Sequence, residues 1–274
     1  KRVLVPKSIH PHYIELLKTY GTAAGWQIED VPYDAQSGIV QTTNYKLQTT
    51  KDIAAVIVQS PNFFGCLEYT DHIANICHEQ GALYIVVADP ISLGILKRPG
   101  DYGADIVVGE GQSLGIPQSF GGPYLGIFAA KQQYARQMPG RIVGETVDAK
   151  GRPGYVLTLQ TRAQHIRRER ATSNICSNEA LCALAATVYM TAMGKQGLRQ
   201  VAELCLQKSN YLKENISKIK GFSLAFNAPT FKEFVVKTAV APEKLNKKLL
   251  AKGIIGGLDM GKFGLNDHWL LCTT

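Results

Sequence analysis

Polar residues follow several of the short apolar runs that are typical of buried β-strands. Ser8 and His10 come just after the first such run, Asp89 ends the run ALYIVVAD, and a Gly-rich loop at 111–122 follows ADIVVGE. The tripeptide Ser-Pro-Asn at 60–62 closes the run DIAAVIVQ. In an open parallel sheet, ligands bind where the carboxyl ends of the strands meet the following loops. These side chains are therefore the first candidates for a site that does chemistry.

Asp89 carries the clearest chemical signal. A carboxylate that ends an apolar run is removed from water, and this is energetically costly unless a cation or a hydrogen-bond donor lies near it. One interpretation is structural, since Asp before Pro is a common helix N-cap and PISLGIL follows. The other is functional, since a carboxylate can hold a proton on a pyridine nitrogen and make that ring an electron sink. The residues alone leave both interpretations open.

The densest basic cluster lies between residues 160 and 174. A formal charge of +8 makes nucleic-acid binding a hypothesis, because such binding needs a basic face. Most of the other basic residues are scattered lysines, which are typical of solvated helix faces. The cluster is either a solvated connector or, as we favour, a contact with a partner subunit, a phosphate or a carboxylate through guanidinium forks. The candidate residues are Arg162, His165, Arg167, Arg168, Arg170 and Asn174.

Strands and helices alternate along the first part of the chain. Apolar runs are separated by segments with helical spacing, such as HPHYIELLKTYGTAAG and LEYTDHIANICHEQ. This alternation predicts βαβ units, and hence an α/β fold with a mainly parallel sheet covered on both faces. After residue 140 the pattern changes to a hairpin around a Lys-Gly turn, two helices and a small α+β unit. We predict a large domain over 1–195 and a small C-terminal domain over 196–274.

Composition limits the class of protein. With 274 residues, 45% of them apolar, the chain can bury a full core. No apolar run reaches the roughly 18 residues of a membrane span, and no signal peptide is visible, so we expect a soluble cytoplasmic protein without a membrane partner. Six scattered cysteines without a CxxC pair indicate reduced buried thiols, and predict neither a disulfide framework nor a bound metal.

Three long segments carry a family resemblance: ADIVVGEGQSLGIPQSFGGP, RQMPGRIVGETVDAKG and LTLQTRAQHIRRERATSNICSNEAL. They are similar to signature segments of the P-protein of the glycine cleavage system, of the subunit 1 or N-terminal-half type. The resemblance implies the fold type I of pyridoxal-phosphate (PLP) enzymes, which is aspartate aminotransferase-like, with a small C-terminal domain. It also implies a heterotetramer with sites at subunit interfaces, and a sequence truncated at both ends whose missing N-terminal portion includes the phosphate-binding loop.

By this resemblance, the position of the Schiff-base lysine in the lysine-bearing subunit falls on Gln112. An amide is not a nucleophile at neutral pH and forms no imine, and the surrounding stretch 98–130 contains no lysine. The resemblance places Asp89 at the pyridine-nitrogen position, and Ser8 and His10 near the cofactor ring, in a vestigial or interface site. No catalytic residue is therefore expected in this chain.

The resemblance also implies a reaction. The complete glycine decarboxylase, an oxidoreductase, decarboxylates glycine on PLP and passes the aminomethyl group to the lipoyl group of H-protein. The lysine-bearing subunit 2 holds the cofactor covalently, and the present chain, inactive alone, supplies the other wall of the site. Two alternatives stay open, namely an autonomous PLP enzyme with its lysine elsewhere and a basic scaffold protein that binds nucleic acid.

Overall fold

A computed structural model of the protein describes residues 1–41, 52–140, 142–159, 164–171 and 179–274. Its larger sheet is built from β1 (Arg2–Pro6), β2 (Gln27–Val31), β3 (Ile53–Ser60), β4 (Leu83–Ala88), β5 (Ile106–Glu110) and β6 (Gly126–Ala130). The strand order across the sheet is β2-β1-β3-β4-β5-β6. Strands β1 to β5 run parallel and β6 is antiparallel at the edge, which confirms the mainly parallel α/β sheet.

Both faces of the central strands β1 and β3 are buried, which explains why these strands are apolar at successive positions. Leu4 and Val56 belong to the core on one face, whereas Val5 and Ile57 belong to the core on the other. Helices α1 (Pro11–Ala24) and α2 (Thr70–Glu79) follow β1 and β3. Parallel pairing brings the carboxyl ends of β1, β3, β4 and β5 to a common edge, where the polar residues that follow them lie.

A smaller antiparallel sheet forms the C-terminal part of the chain. It contains β9 (Phe222–Leu224), β10 (Glu233–Thr238), β11 (Leu258–Asp259) and β12 (His268–Cys272), with helix α5 (Pro242–Leu250) between β10 and β11. The order is β11-β12-β10-β9. Phe234, Val236 and Trp269 form the core of this unit with Ile216, so the predicted strands and helix of the small α+β unit are confirmed.

The two helices predicted after residue 178 lie on either side of a kink in α4 (Ala180–Ile216). The helix is interrupted at Gly194, whose φ of 60° and ψ of −179° are non-helical. Glycine tolerates a positive φ because it has no Cβ. The predicted division after residue 195 follows this kink directly and stays a prediction.

A separate two-stranded hairpin, β7 (Ile142–Val147) and β8 (Pro153–Thr158), precedes the short helix α3 (Gln164–Arg167). Its turn contains the predicted Lys-Gly step, and Asp148 Oδ1 accepts hydrogen bonds there from the backbone N–H groups of Lys150 (2.8 Å) and Arg152 (3.0 Å). In the part of the chain that the structure describes, no helix is both long and apolar enough to cross a membrane.

Asp105 fixes the far end of the parallel sheet, at the start of β5. Its carboxylate is 4% exposed and accepts a hydrogen bond from the backbone N–H of Tyr84 (2.9 Å). The same carboxylate binds Lys131 Nζ (2.7 Å) and His78 Nε2 (3.0 Å). Burial alone raises the pKa of Asp105, but the bonds to Lys131, Tyr84 and His78 outweigh burial and hold it below its ordinary value.

We expect Asp105→Asn to lower the free energy of unfolding at pH 7 by about 1 to 3 kcal/mol, because charge-assisted bonds to a buried group are lost. A carboxyl with a lowered folded-state pKa stabilises the fold above its unfolded pKa of about 4, and this contribution is lost as pH falls through the folded-state value. The difference between wild type and Asp105→Asn, measured by urea unfolding, should therefore shrink at acid pH. The control Asp101→Asn, at an exposed ion pair with Arg98, should cost about 0 to 1 kcal/mol.

Candidate functional site

A cavity of about 820 Å³ lies between the carboxyl edge of the parallel sheet and the smaller sheet. Apolar side chains such as Phe63, Leu212 and Trp269 form much of its wall. A large cavity with a few convergent polar groups is the usual form of a small-molecule site. The polar and titratable residues that line it include His10, Gln112 and Asp89 from the parallel-sheet side, and Lys232, Glu233 and Cys272 from the smaller sheet.

Asp89 makes the contacts that the helix-capping interpretation predicts, and it also forms an ion pair across the cavity. Its Oδ1 accepts the backbone N–H of Ile91 (2.9 Å), as a capping residue does, and its backbone carbonyl accepts the hydroxyl of Ser92 (2.7 Å). Its Oδ2 lies 2.6 Å from Nζ of Lys232. The side chains of Asp89 and Lys232 are only 19% and 14% exposed, so the pair is largely removed from water.

Sequence reasoning missed Lys232 as the partner of Asp89. The available signal was the segment FKEFVV, in which two charged residues sit beside a run that becomes a buried strand. Burial lowers the pKa of Lys232, but attraction to Asp89 outweighs burial and raises it above its ordinary value. The neighbouring Glu233 has a raised pKa, chiefly because it is buried, and the attraction of Lys232 only partly offsets this rise.

Gln112 faces the cavity, but its amide is bound within its own loop. The side-chain NH₂ donates to the carbonyl of Ile116, and the Ile116 N–H donates back to the carbonyl of Gln112 (3.1 Å). The backbone N–H groups of Gln112 and Leu125 both donate to Glu110 Oε1, each at 3.0 Å. These bonds hold the Gly-rich loop closed against the end of β5.

His10 also lies where the sequence predicts. It is the N-cap of α1, its backbone N–H donates to Gln59 Oε1 (2.8 Å), and its ring packs 4.8 Å from that of Phe63. Burial, with a further contribution from His12, lowers the pKa of His10. The ring is therefore neutral at physiological pH and can act as a hydrogen-bonding wall of the cavity.

Ser8 is placed differently, because its hydroxyl points away from the cavity. It is 1% exposed and donates to Glu68 Oε1 (3.0 Å). The Asn62 side chain donates to the same oxygen (2.8 Å), and the backbone N–H of Val40 donates to Glu68 Oε2 (2.8 Å). Ser8 thus helps to brace the loops beneath the cavity. Burial raises the pKa of Glu68 and the three hydrogen bonds oppose that rise.

The basic cluster lies on the surface, apart from the cavity. His165, Arg167, Arg168 and Arg170 are exposed in α3 and the turn after it, and Arg170 makes only a 3.9 Å contact with Glu169. Arg162 and Asn174 lie outside the described residues. Within the described ranges, no group of three or more His, Cys, Asp or Glu residues is placed to hold a metal ion.

The family model of the glycine cleavage system P-protein matches residues 1–273. A protein of Desulforamulus reducens named probable glycine dehydrogenase (decarboxylating) subunit 1 is 57% identical over all of this chain, and one of the same name from Desulfitobacterium hafniense is 53% identical. The chain spans 61% of the length of each.

Solved structures give the same picture. A crystal structure of the glycine decarboxylase (P-protein) of the glycine cleavage system, in inhibitor-bound form, is similar with a TM-score of 0.93 and 40% identity, over 100% of this chain and 61% of that one. A cysteine desulfurase of Escherichia coli is similar with a TM-score of 0.72 over 100% of this chain and 67% of that one. At 12% identity, that likeness shows the fold alone, and the expected PLP fold type I is confirmed.

We expect Glu68→Gln to destabilise the protein by about 1 to 3 kcal/mol, because three buried donors meet two carboxylate oxygens and an amide offers only one acceptor. The NH₂ group of the new glutamine must then face either the backbone N–H of Val40 or the side-chain donors of Ser8 and Asn62, and the facing donors lose their acceptor. The measurement is the free energy of unfolding in urea. Glu15→Gln, on the exposed face of α1, is the matched control, and an equal effect of both variants would contradict the bracing role of Glu68.

Proposed function

Because this chain belongs to the glycine cleavage system P-protein family, we propose that it is the non-lysine subunit of a glycine decarboxylase. The complete enzyme decarboxylates glycine and passes the aminomethyl group to the lipoyl group of H-protein. The lysine-bearing subunit holds pyridoxal phosphate, and this chain supplies the facing wall of the shared site in a cytoplasmic heterotetramer.

Gln112 is the observation that carries the proposal. It stands at the cavity wall, where the lysine-bearing subunit has its Schiff-base lysine by the resemblance described above. A carboxamide has no basic nitrogen to attack an aldehyde. Its NH₂ is in addition engaged with the carbonyl of Ile116, and residues 98–130 contain no lysine that could take its place.

The described residues of this cavity do not fit the cofactor. Pyridoxal phosphate is an electron sink that needs an imine-forming lysine, a partner for its ring nitrogen and donors for its phosphate. Here position 112 holds an amide, and the Asp89 carboxylate is already paired with Lys232, so the first two of these requirements are not met. The proposed function therefore leaves the cofactor with the partner subunit.

An exposed apolar surface supports the pairing of subunits. On the hairpin, Val147 is 65% exposed and Tyr155 is 73% exposed, and on the first half of α4, Leu181 is 78% exposed. Phe120, in the Gly-rich loop, is 94% exposed. Large exposed apolar side chains are typical of protein contact sites, and tyrosine is often a principal anchor of such contacts. The basic cluster follows the hairpin directly in the chain.

We expect no specific covalent adduct when the chain alone is incubated with pyridoxal phosphate and reduced with borohydride, because the cavity offers no lysine at position 112. Peptide mapping by mass spectrometry should find only scattered surface labelling, and glycine decarboxylation should be absent. The lysine-bearing subunit, treated identically, is the positive control. One lysine of the folded chain that is labelled stoichiometrically would overturn the assignment of a non-lysine subunit.

We expect Arg167→Ala and Arg168→Ala to weaken association with the lysine-bearing subunit, with little effect on the melting temperature of the chain itself. Truncating one partner of a buried interfacial charge pair costs about 2 to 5 kcal/mol, whereas an exposed ion pair contributes about 0 to 1 kcal/mol. The dissociation constant of the reconstituted pair is the measurement, with Arg98→Ala as an exposed control. A tenfold change in the dissociation constant corresponds to about 1.4 kcal/mol. A change in the dissociation constant below about threefold for both variants would therefore identify the cluster as a solvated face.

A further inference from the structure

Both carboxylate oxygens of Asp89 are engaged by groups of the chain itself. Its Oδ2 is bound by the Lys232 ammonium at 2.6 Å, and its Oδ1 is bound by the Ile91 N–H at 2.9 Å. The only cation that reaches the carboxylate in the described structure comes from the chain itself. A protonated ring nitrogen that approached Oδ2 would compete with this ammonium for the same oxygen.

Lys232 is held firmly in this position. Its neighbours Phe231 and Phe234 are each 1% exposed, and its backbone carbonyl accepts the N–H of Thr273 (2.9 Å) from the chain segment after β12. The backbone is therefore fixed between buried residues, and the side chain crosses the cavity wall to Asp89. In an exposed ion pair, the loss of side-chain rotamer freedom nearly cancels the electrostatic attraction. In a pair removed from water, separating the two charges would leave each of them without a partner, and that cost holds the lysine in place.

We propose that Lys232 is an internal substitute for the pyridinium ring of the cofactor, and that its ammonium closes this cavity to pyridine-ring ligands by occupying Asp89. This inference rests on the proposed function, in which the partner subunit holds the cofactor. It adds a second barrier that is independent of Gln112, because it blocks recognition of the ring and not formation of the imine.

The competing interpretation is that the ion pair only ties the two sheets together. The two interpretations differ when Lys232 is removed. If the ammonium stands in for the ring, the bare Asp89 carboxylate becomes a site for a protonated pyridine, whereas a simple tie leaves no such site. Pyridoxine is the suitable probe, since it has the ring but neither the aldehyde nor the phosphate, and thus needs no lysine and no phosphate loop.

The experiment is thermal unfolding of the whole subunit, without its partner, in the presence and absence of pyridoxine. We expect Lys232→Met to lower the melting temperature, and pyridoxine to raise the melting temperature of this variant by a few degrees while leaving wild type unchanged. A ligand at ten times its dissociation constant multiplies the ratio of folded to unfolded protein by about 11.

Two control variants separate the causes. Lys237→Met removes an exposed lysine from β10, the strand that follows Lys232, and should show no pyridoxine effect. The double variant Asp89→Asn, Lys232→Met removes the carboxylate as well, and pyridoxine should no longer raise its melting temperature. Stabilisation of wild type as strongly as of Lys232→Met, stabilisation of the double variant, or no effect on Lys232→Met would each overturn the proposal.

A second measurement needs no destabilised variant. Competitive acetylation of the wild-type subunit should label Lys232 at least tenfold more slowly than Lys237, and Asp89→Asn should bring the two rates close together. Equal rates in the wild type would mean that the ion pair is absent in solution, and the proposal would fail. Neither experiment involves an imine, so a failure here is distinguishable from a failure of the assignment of Gln112.

Discussion

The largely buried ion pair between Asp89 and Lys232 sets the arrangement of the whole site. Asp89 directly follows β4 of the parallel sheet and Lys232 directly precedes β10 of the smaller sheet, so their contact joins the two sheets across the cavity. Both charges have lost most of their water, which means that neither is stable there alone. Losing one member of such a pair costs about 3 to 5 kcal/mol, whereas replacing both by apolar groups is often neutral or favourable. The pair is thus a strong constraint on geometry, although it adds little net stability.

The local parts of this fold are predictable from sequence because local chemistry determines them. The uninterrupted apolar run of β3 predicts a strand buried on both faces, and the Lys-Gly step predicts the turn of the hairpin. The partner of Asp89 could not be predicted, since Lys232 is distant in sequence and only the packing of two sheets brings it near. Ser8 shows a similar limit. Its position after a strand predicts the correct edge of the sheet, but the direction of its hydroxyl depends on Glu68, which belongs to another loop.

The cavity and the outer surface both fit the proposal that this chain forms one wall of a shared site. The cavity has a carboxylate, a histidine and a Gly-rich loop at the expected edge of the sheet, yet its amide and its ammonium oppose binding of the cofactor. The outer surface, in contrast, exposes Tyr155 and Leu181. Covering such apolar side chains would remove apolar area from water, which is favourable. Under the proposed function, the lysine-bearing subunit supplies the chemistry that this cavity lacks.

The break in α4 at Gly194 separates an exposed segment of the helix from a segment that packs in the core. The segment before the break carries the exposed Leu181 and Leu184, whereas the segment after it carries Ala202 and Cys205, which are buried in the core beside the cavity. Since the helical path is interrupted between them, the spacing of apolar residues on one side does not dictate the spacing on the other. The exposed residues of the first segment are thus placed independently of the buried residues of the second. The break itself depends on the glycine, since a side chain at position 194 would be strained at a φ of 60° and a ψ of −179°.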